Sequence, residues 1–360
     1  MTQRKPTTEL IRLLGSPFVS GAVSAPSDET LLEIYDQAFK DRIAPLILNK
    51  YRRPDWSSQL EERYTFVTAR EDMTITVLSD LADTLNAFDP EGYVIFKSIK
   101  PYPAIPNDTD VLIFGNKRVY DATMEFLYSR GYIFHEWAPM QITVYDPRGV
   151  GKIGQGKKGG TYYLDIYQDI STDYVCYLDK KSLAPYTLRK QIKGKTVRLL
   201  RPEPELAIIL FHNMFPERTF QLEHFFMPLY YLARPDFEMD IFTRFVGENR
   251  LSFAVRTNLS LIATLHQECF GVTPEKVMLL LQRWGWNKAE VGRFKAAGME
   301  TPYMFSPAAF WTTFLHKLRD GAFAKSLVVQ SIHMLNPVFL LDVLKSLKRR
   351  LSERGVYHME

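Results

Sequence analysis

Cysteine is scarce: Cys176 and Cys269 are the only two in 360 residues. Two thiols far apart in sequence build neither a disulfide framework nor a metal knuckle, so a reducing compartment is expected. Charge of one sign is lacking as well. Against 45 Lys and Arg stand 41 Asp and Glu, a net charge of +4, which excludes a strongly basic nucleic-acid coat or a polybasic membrane binder while permitting an anionic substrate. Long apolar runs are missing too. Met1-Thr2-Gln3-Arg4-Lys5-Pro6 leads into Thr7, Thr8 and Glu9 instead of an apolar stretch, which argues against a secretory signal. The most apolar late stretch, 326–344, is interrupted by Gln330, His333, Asn336, Pro337 and Asp342, whereas a membrane span needs about 20 mostly apolar residues. It is expected as a buried helix pair broken at Asn336-Pro337. A cytoplasmic protein without a membrane partner is the resulting expectation, and the absence of internal repeats argues against a solenoid.

What is present is apolar and aromatic. Hydrophobic residues make up 46% and aromatics 13%, enough at this length for more than one core. Residues 29–50 and 56–88 carry apolar side chains at helical spacing, with Asp28 as candidate N-cap, Pro45 splitting the first run and Pro54 separating the two. From Gly92 the texture changes. Segments 93–96, 111–114, 132–136, 141–145 and 161–167 are rich in β-branched and aromatic residues and predict strands, with a helix at 117–130 ended by Gly131. After Arg201 the pattern predicts helices to about 354. The fold class is therefore α+β, a small mixed sheet flanked by helices, organised as an N-terminal helical segment (1–90), an α/β core (91–200) and an all-helical domain (201–360).

The chemistry is concentrated in Phe96-Lys97-Ser98, a spacer of nine residues, and Asp108-Thr109-Asp110-Val111-Leu112-Ile113. Residues two apart in a strand share a face, so Asp108 and Asp110 project together while Val111 and Ile113 face the core. Paired carboxylates suit Mg2+ or Mn2+, hard ions that take further ligands from substrate phosphates. Tyr163-Leu164-Asp165-Ile166-Tyr167 sets a third carboxylate on another strand, with Asp169 and Asp173 nearby as alternatives. Asp165 beside the pair would complete a metal site and accept a proton from an incoming hydroxyl.

This pattern resembles the nucleotidyltransferase superfamily of DNA polymerase beta. More narrowly it is similar to a group of uncharacterised bacterial and archaeal nucleotidyltransferases with a Lys-Gly turn, an Asp-x-Asp strand, a later lone Asp, and a Pro-Glu-x-x-Leu…His helix. Pro204-Glu205-Leu206 through His212 stands in the last place, and the likeness spans Tyr93 to His212. It implies a nucleotidyltransferase-type sheet and a Mg-dependent enzyme. The reaction moves a nucleoside monophosphate from an NTP to a hydroxyl of RNA, protein or a small molecule. By this resemblance Asp108, Asp110 and Asp165 are catalytic and metal-binding, and Lys97, Ser98 and Lys100 contact the nucleotide. Ser98 replaces the usual Gly, where a positive φ would be strained, and Lys100 with its prolines replaces the usual Arg. A non-catalytic relative that binds nucleic acid or protein is the alternative.

Other signals are weaker. Gly149 to Gly154 matches a dinucleotide fingerprint and Gly151 to Lys157 most of a P-loop, yet a strand follows where a helix is required. Lys152, Lys157 and Lys158 of that loop are expected in a solvated turn, with contact to a triphosphate or acceptor as the alternative, and 344–351 is expected as a basic amphipathic helix with a solvated face or an RNA contact. Arg189, Lys190, Lys193, Lys195, Arg198 and Arg201 form a cluster suited to an anionic ligand or to a solvated turn. Asp236, Glu238 and Asp240 alternate without a strand and are expected on an exposed helix. His212 is expected as a core histidine, and no zinc spacing or Ser-His-Asp set can be assembled.

Overall fold

Apolar side chains at helical spacing fold residues 28–40, 44–51 and 58–88 into helices, and strand texture then takes over. The computed structural model describes residues 6–19, 25–104, 108–147, 162–172, 174–337 and 340–341. The fold is mixed α+β, with a mixed sheet flanked by helices and a C-terminal helical region. By packing, the chain groups into two units, each assembled from segments far apart in sequence. One comprises Met1–Thr68, Lys100–Ala104 and Leu206–His316; the other comprises Ala69–Ile99, Ile105–Glu205 and Lys317–Glu360.

The N-terminal helices are α1 (Thr7–Leu14), α2 (Asp28–Lys40), α3 (Ala44–Tyr51) and α4 (Ser58–Phe88). The cap of α2 is Ser27, which accepts from the Thr30 amide, and not Asp28. That carboxylate is drawn instead to Arg53 and to the Ser57 amide. The chain breaks between α2 and α3 as expected, with Arg42 left-handed at φ 59° and Pro45 in the first turn of α3, where its missing amide costs nothing.

The sheet contains β1 (Tyr93–Phe96), β2 (Asp108–Ile113), β3 (Ile133–Ala138), β4 (Gln141–Tyr145) and β5 (Tyr163–Tyr167), with α5 (Lys117–Ser129) after β2. A separate hairpin pairs β6 (Ile170–Thr172) with β7 (Val175–Leu178), and β8 (Thr187–Ile192) and β9 (Lys195–Leu200) rejoin the sheet. Its order is β3-β4-β5-β2-β1-β9-β8. The β2/β5 and β1/β9 pairs are parallel, the others antiparallel. One face buries Tyr93, Ile95, Val111, Ile113, Val144, Leu164 and Ile166 against Leu78, Leu81 and Leu85 of α4 and Tyr120, Met124 and Leu127 of α5. Each such side chain contributes about 1.5–3 kcal/mol. A slip of one residue would drive Asp110 and Asp165 into this core, so burial locks the register that positions them.

The strands β6 to β9 lie where the sequence reading placed none. The basic stretch 189–201 belongs to a hairpin whose two-residue turn, Lys193-Gly194, has φ 48° and 76°, a primed turn that only its glycine signals. The later helices are α6 (Pro202–Met214), α7 (Leu222–Ala233), α8 (Met239–Glu248), α9 (Ser252–Phe270), α10 (Glu275–Trp284), α11 (Lys288–Ala296), α12 (Pro307–Lys317) and α13 (Gly321–His333), with a short strand pair at Thr219–Phe220 and Tyr303–Met304. Asp236 and Glu238 precede α8 instead of lying on a helix, because Asp236 folds back onto Arg234; with Asp240 they face solvent. The expected burial of 326–344 is also corrected. Val328, Ile332 and Leu335 are 61%, 61% and 81% exposed, because α13 uses Phe323, Ser326 and Gln330 to meet β7 and the residue before it. Residues 338–339 and 342–344 of that stretch, the segment 344–351 expected as a basic helix and the Gly-rich loop lie outside the described residues. Among the described residues no helix is long and apolar enough to cross a membrane.

Candidate active site

Strand parity builds the site. Thr109, Val111 and Ile113 turn inward, so Asp108 and Asp110 leave the opposite face of β2. The parallel neighbour β5 sets Asp165 level with Asp110 and Tyr163 level with Asp108. Paired residues on adjacent strands share a face at about 4.8 Å between strands, so the three acids occupy one face. Their fields converge on Tyr167, whose hydroxyl pKa is pushed well above its ordinary value by burial and then by Asp110, Asp165 and Asp108.

Asp165 is electrostatically perturbed. Burial and then the Asp110 carboxylate raise its pKa from 3.8 to about 6. Hydrogen bonds from Thr143 and Gln141 and the charge of Lys97 work the other way. Thr143 stands opposite Asp165 on β4 and donates to Oδ1 at 2.6 Å. A carboxyl of this kind exchanges its proton near neutral pH, as a general base requires. The neighbouring Asp169 is engaged by Lys180 at 3.6 Å; Asp173 lies outside the described residues.

The turn after β1 is fixed by hydrogen bonds. The strained residue is Lys97, left-handed at φ 57°, one position ahead of the expected Ser98. A left-handed lysine is held by its surroundings: its amide donates to Glu205 Oε1 at 2.9 Å. Buried Ser98 donates its hydroxyl proton to the Phe96 carbonyl at 2.9 Å and accepts from the Asp110 amide at 3.0 Å. Its one hydroxyl proton is thereby committed to the backbone, and it ties the turn to the Asp-bearing strand. The Lys97 ammonium lies 3.0 Å from Asp110 Oδ2, with the two side chains 14% and 8% exposed. Burial disfavours this charge, but Asp110, Tyr177 and Asp108 outweigh it and hold the ammonium above its ordinary pKa. The rings of Phe96 and Tyr167 lie 5.2 and 5.9 Å away.

Asp108, Asp110, Asp165, Lys97 and Ser98 thus belong to one unit. Lys100 belongs to the other, where its charge acts on Glu223 and His224. Among the described residues no three His, Cys, Asp or Glu side chains are arranged to hold a metal ion. The donor chemistry is nevertheless that of a hard cation: carboxylates stand on adjacent strands, and burial followed by the Asp110 charge raises Asp165 even with Lys97 set against Asp110.

No protein-family model and no curated protein matches the chain. One solved structure is similar: an antigenic nucleotidyltransferase-like protein from Paracoccidioides brasiliensis. The match has 14% identity and a TM-score of 0.31, and covers 67% of this chain and 98% of the other.

Glu205 and Thr143 were not singled out in the sequence as site residues. Glu205 sits in the Pro-Glu helix start, which was visible, but its service to Lys97 joins residues 108 apart. Thr143 carried no signal beyond strand alternation. The basic cluster is largely self-neutralised: Arg189 and Arg198 meet Glu91, Lys193 meets Asp72, Lys195 meets Asp80 and Asp83, and Arg201 meets Glu203. His212 is half-buried, 3.5 Å from Glu217. His135 packs its exposed ring on Tyr163 at 4.2 Å. The free thiols of Cys176 and Cys269 are raised in pKa by burial, the opposite of a reactive cysteine.

Proposed function

We propose that the protein is a nucleotidyltransferase that moves a nucleoside monophosphate from an NTP to a hydroxyl acceptor on RNA, protein or a small molecule. The observation that carries this reading is the register of β2 against β5, which sets Asp165, with its raised pKa, beside Asp110. The acceptor oxygen attacks the α-phosphorus, the bond to the bridging oxygen breaks, and pyrophosphate leaves. The acceptor proton passes to Asp165, whose carboxyl Thr143 orients. Asp108, Asp110 and Asp165 would hold Mg2+ or Mn2+, which supplies charge neutralisation to the phosphates. Ser98 and Glu205 hold the turn from which Lys97 reaches phosphate oxygens.

The test incubates the full chain with each of ATP, CTP, GTP and UTP, Mg2+ or Mn2+, and cellular RNA, protein or small-molecule fractions. Labelled transfer by the wild type and a loss of about 10³-fold or more in Asp110→Asn are expected, the scale of removing an essential electrostatic contact. Transfer to none of these acceptors rejects the reading. One observation favours a second reading, a non-catalytic binding module: Asp110 already has an internal cation in Lys97. That reading predicts that Asp110→Asn leaves biological activity intact.

A further inference from the structure

The Lys97–Asp110 contact bears on how such a site loads. Its backbone pivot is immobilised from two sides, by Glu205 on the Lys97 amide and by Ser98 between Phe96 and Asp110. Only the side chain is left to move. Its ammonium is half of a largely buried pair, facing two aromatic rings that favour a cation. Leaving Asp110 for water would strand a buried carboxylate, which is costly. Leaving it for another anion is not, provided a cation replaces the ammonium at Asp110. A divalent ion alone meets the first half of this exchange and repels the displaced lysine. A divalent ion carrying polyphosphate meets both halves.

We infer that Lys97 is an exchangeable counter-ion, neutralising Asp110 in the empty site and transferring to phosphate oxygens when a metal–nucleotide complex arrives. Cation and nucleotide therefore load as one body, and Lys97 disfavours the bare ion. This rests on the transferase reading and adds an order of loading to it. Lys97 is here a selectivity residue whose removal improves one ligand and worsens another, which a purely structural role would not do.

The experiment titrates the full chain with Mn2+ alone and with preformed Mn2+–tripolyphosphate, followed by the manganese paramagnetic resonance signal and by calorimetry. Wild type is compared with Lys97→Met, Lys97→Gly and Lys97→Arg. Glycine accepts φ 57° without strain, so Lys97→Gly keeps the test open should the methionine variant unfold. Met and Gly should bind bare Mn2+ about 10- to 100-fold tighter than wild type, the range of one charge-assisted hydrogen bond. They should bind the tripolyphosphate complex several-fold weaker, and Arg should follow wild type. Equal bare-ion affinity in all four proteins, or tighter binding of both probes without Lys97, overturns the inference and leaves the transferase reading standing. Failure of every protein to bind either probe overturns both.

Discussion

Replacing Asp165 by asparagine should stabilise the metal-free protein above neutral pH and do nothing in acid. Burial and the neighbouring Asp110 raise this carboxyl from 3.8 to about 6. At about 1.4 kcal/mol per pH unit, the folded state bears a penalty of about 3 kcal/mol once the group is ionised. The sign follows from proton binding. Below pH 4 both folded and unfolded chains hold the proton, and the residue is neutral in its effect. Between pH 4 and 6 the unfolded chain releases its proton first, so stability falls as pH rises; above about pH 6 the full penalty is present. Asparagine removes it and still accepts from Thr143 through Oδ1. Urea unfolding in EDTA at pH 4 and pH 8 measures the effect, with a gain of about 1–3 kcal/mol expected at pH 8 only. Carbon NMR titration should place the Asp165 carboxyl near 6 and show it falling in Asp110→Asn. A gain equal at both pH values, or a loss at pH 8, would refute the electrostatic reasoning.

The turn after β1 yields two further predictions. Ser98→Ala should cost about 1–3 kcal/mol in urea unfolding, because the buried Asp110 amide loses its acceptor, and hydrogen exchange at that amide should accelerate. Unchanged stability and exchange would mean that Ser98 does not tie the turn to β2. Glu205→Ala should cost a similar amount, and Glu205→Gln less, since an amide oxygen still accepts from Lys97. Lys97→Gly in the Glu205→Ala background should recover part of the loss by relieving the left-handed lysine; no recovery would place the cost elsewhere.

How much was legible depended on whether the signal was local. Strands at 93–96 and 141–145 could be read from their β-branched and aromatic residues and the helix after β2 from its apolar spacing, because each sets those side chains into one core. β8 and β9 could not, since four of their side chains are charged, and Arg189, Lys195 and Arg198 are met by acids on α4 and before β1. The exposed face of α13 was misread because apolar spacing marks a helix without telling how much of it a partner covers. For the candidate site, alternation alone placed Asp108 and Asp110 on one face of a strand. The left-handed residue was placed one position late, because a Gly-to-Ser departure draws attention to the serine while the backbone turns at the lysine.

Composition and local pattern determined that this chain folds as α+β around an Asp-x-Asp strand, because a strand's two faces alternate whatever lies beside it. Which strand lies beside it is a nonlocal matter. Only the packed sheet set β5 parallel to β2 with Asp165 level with Asp110, carried Glu205 back to the Lys97 amide, and left the Lys97 ammonium on Asp110. The first two contacts close long loops of chain that no window of neighbouring residues encodes, and they are held by the summed burial of a core drawn from helices and strands across the unit.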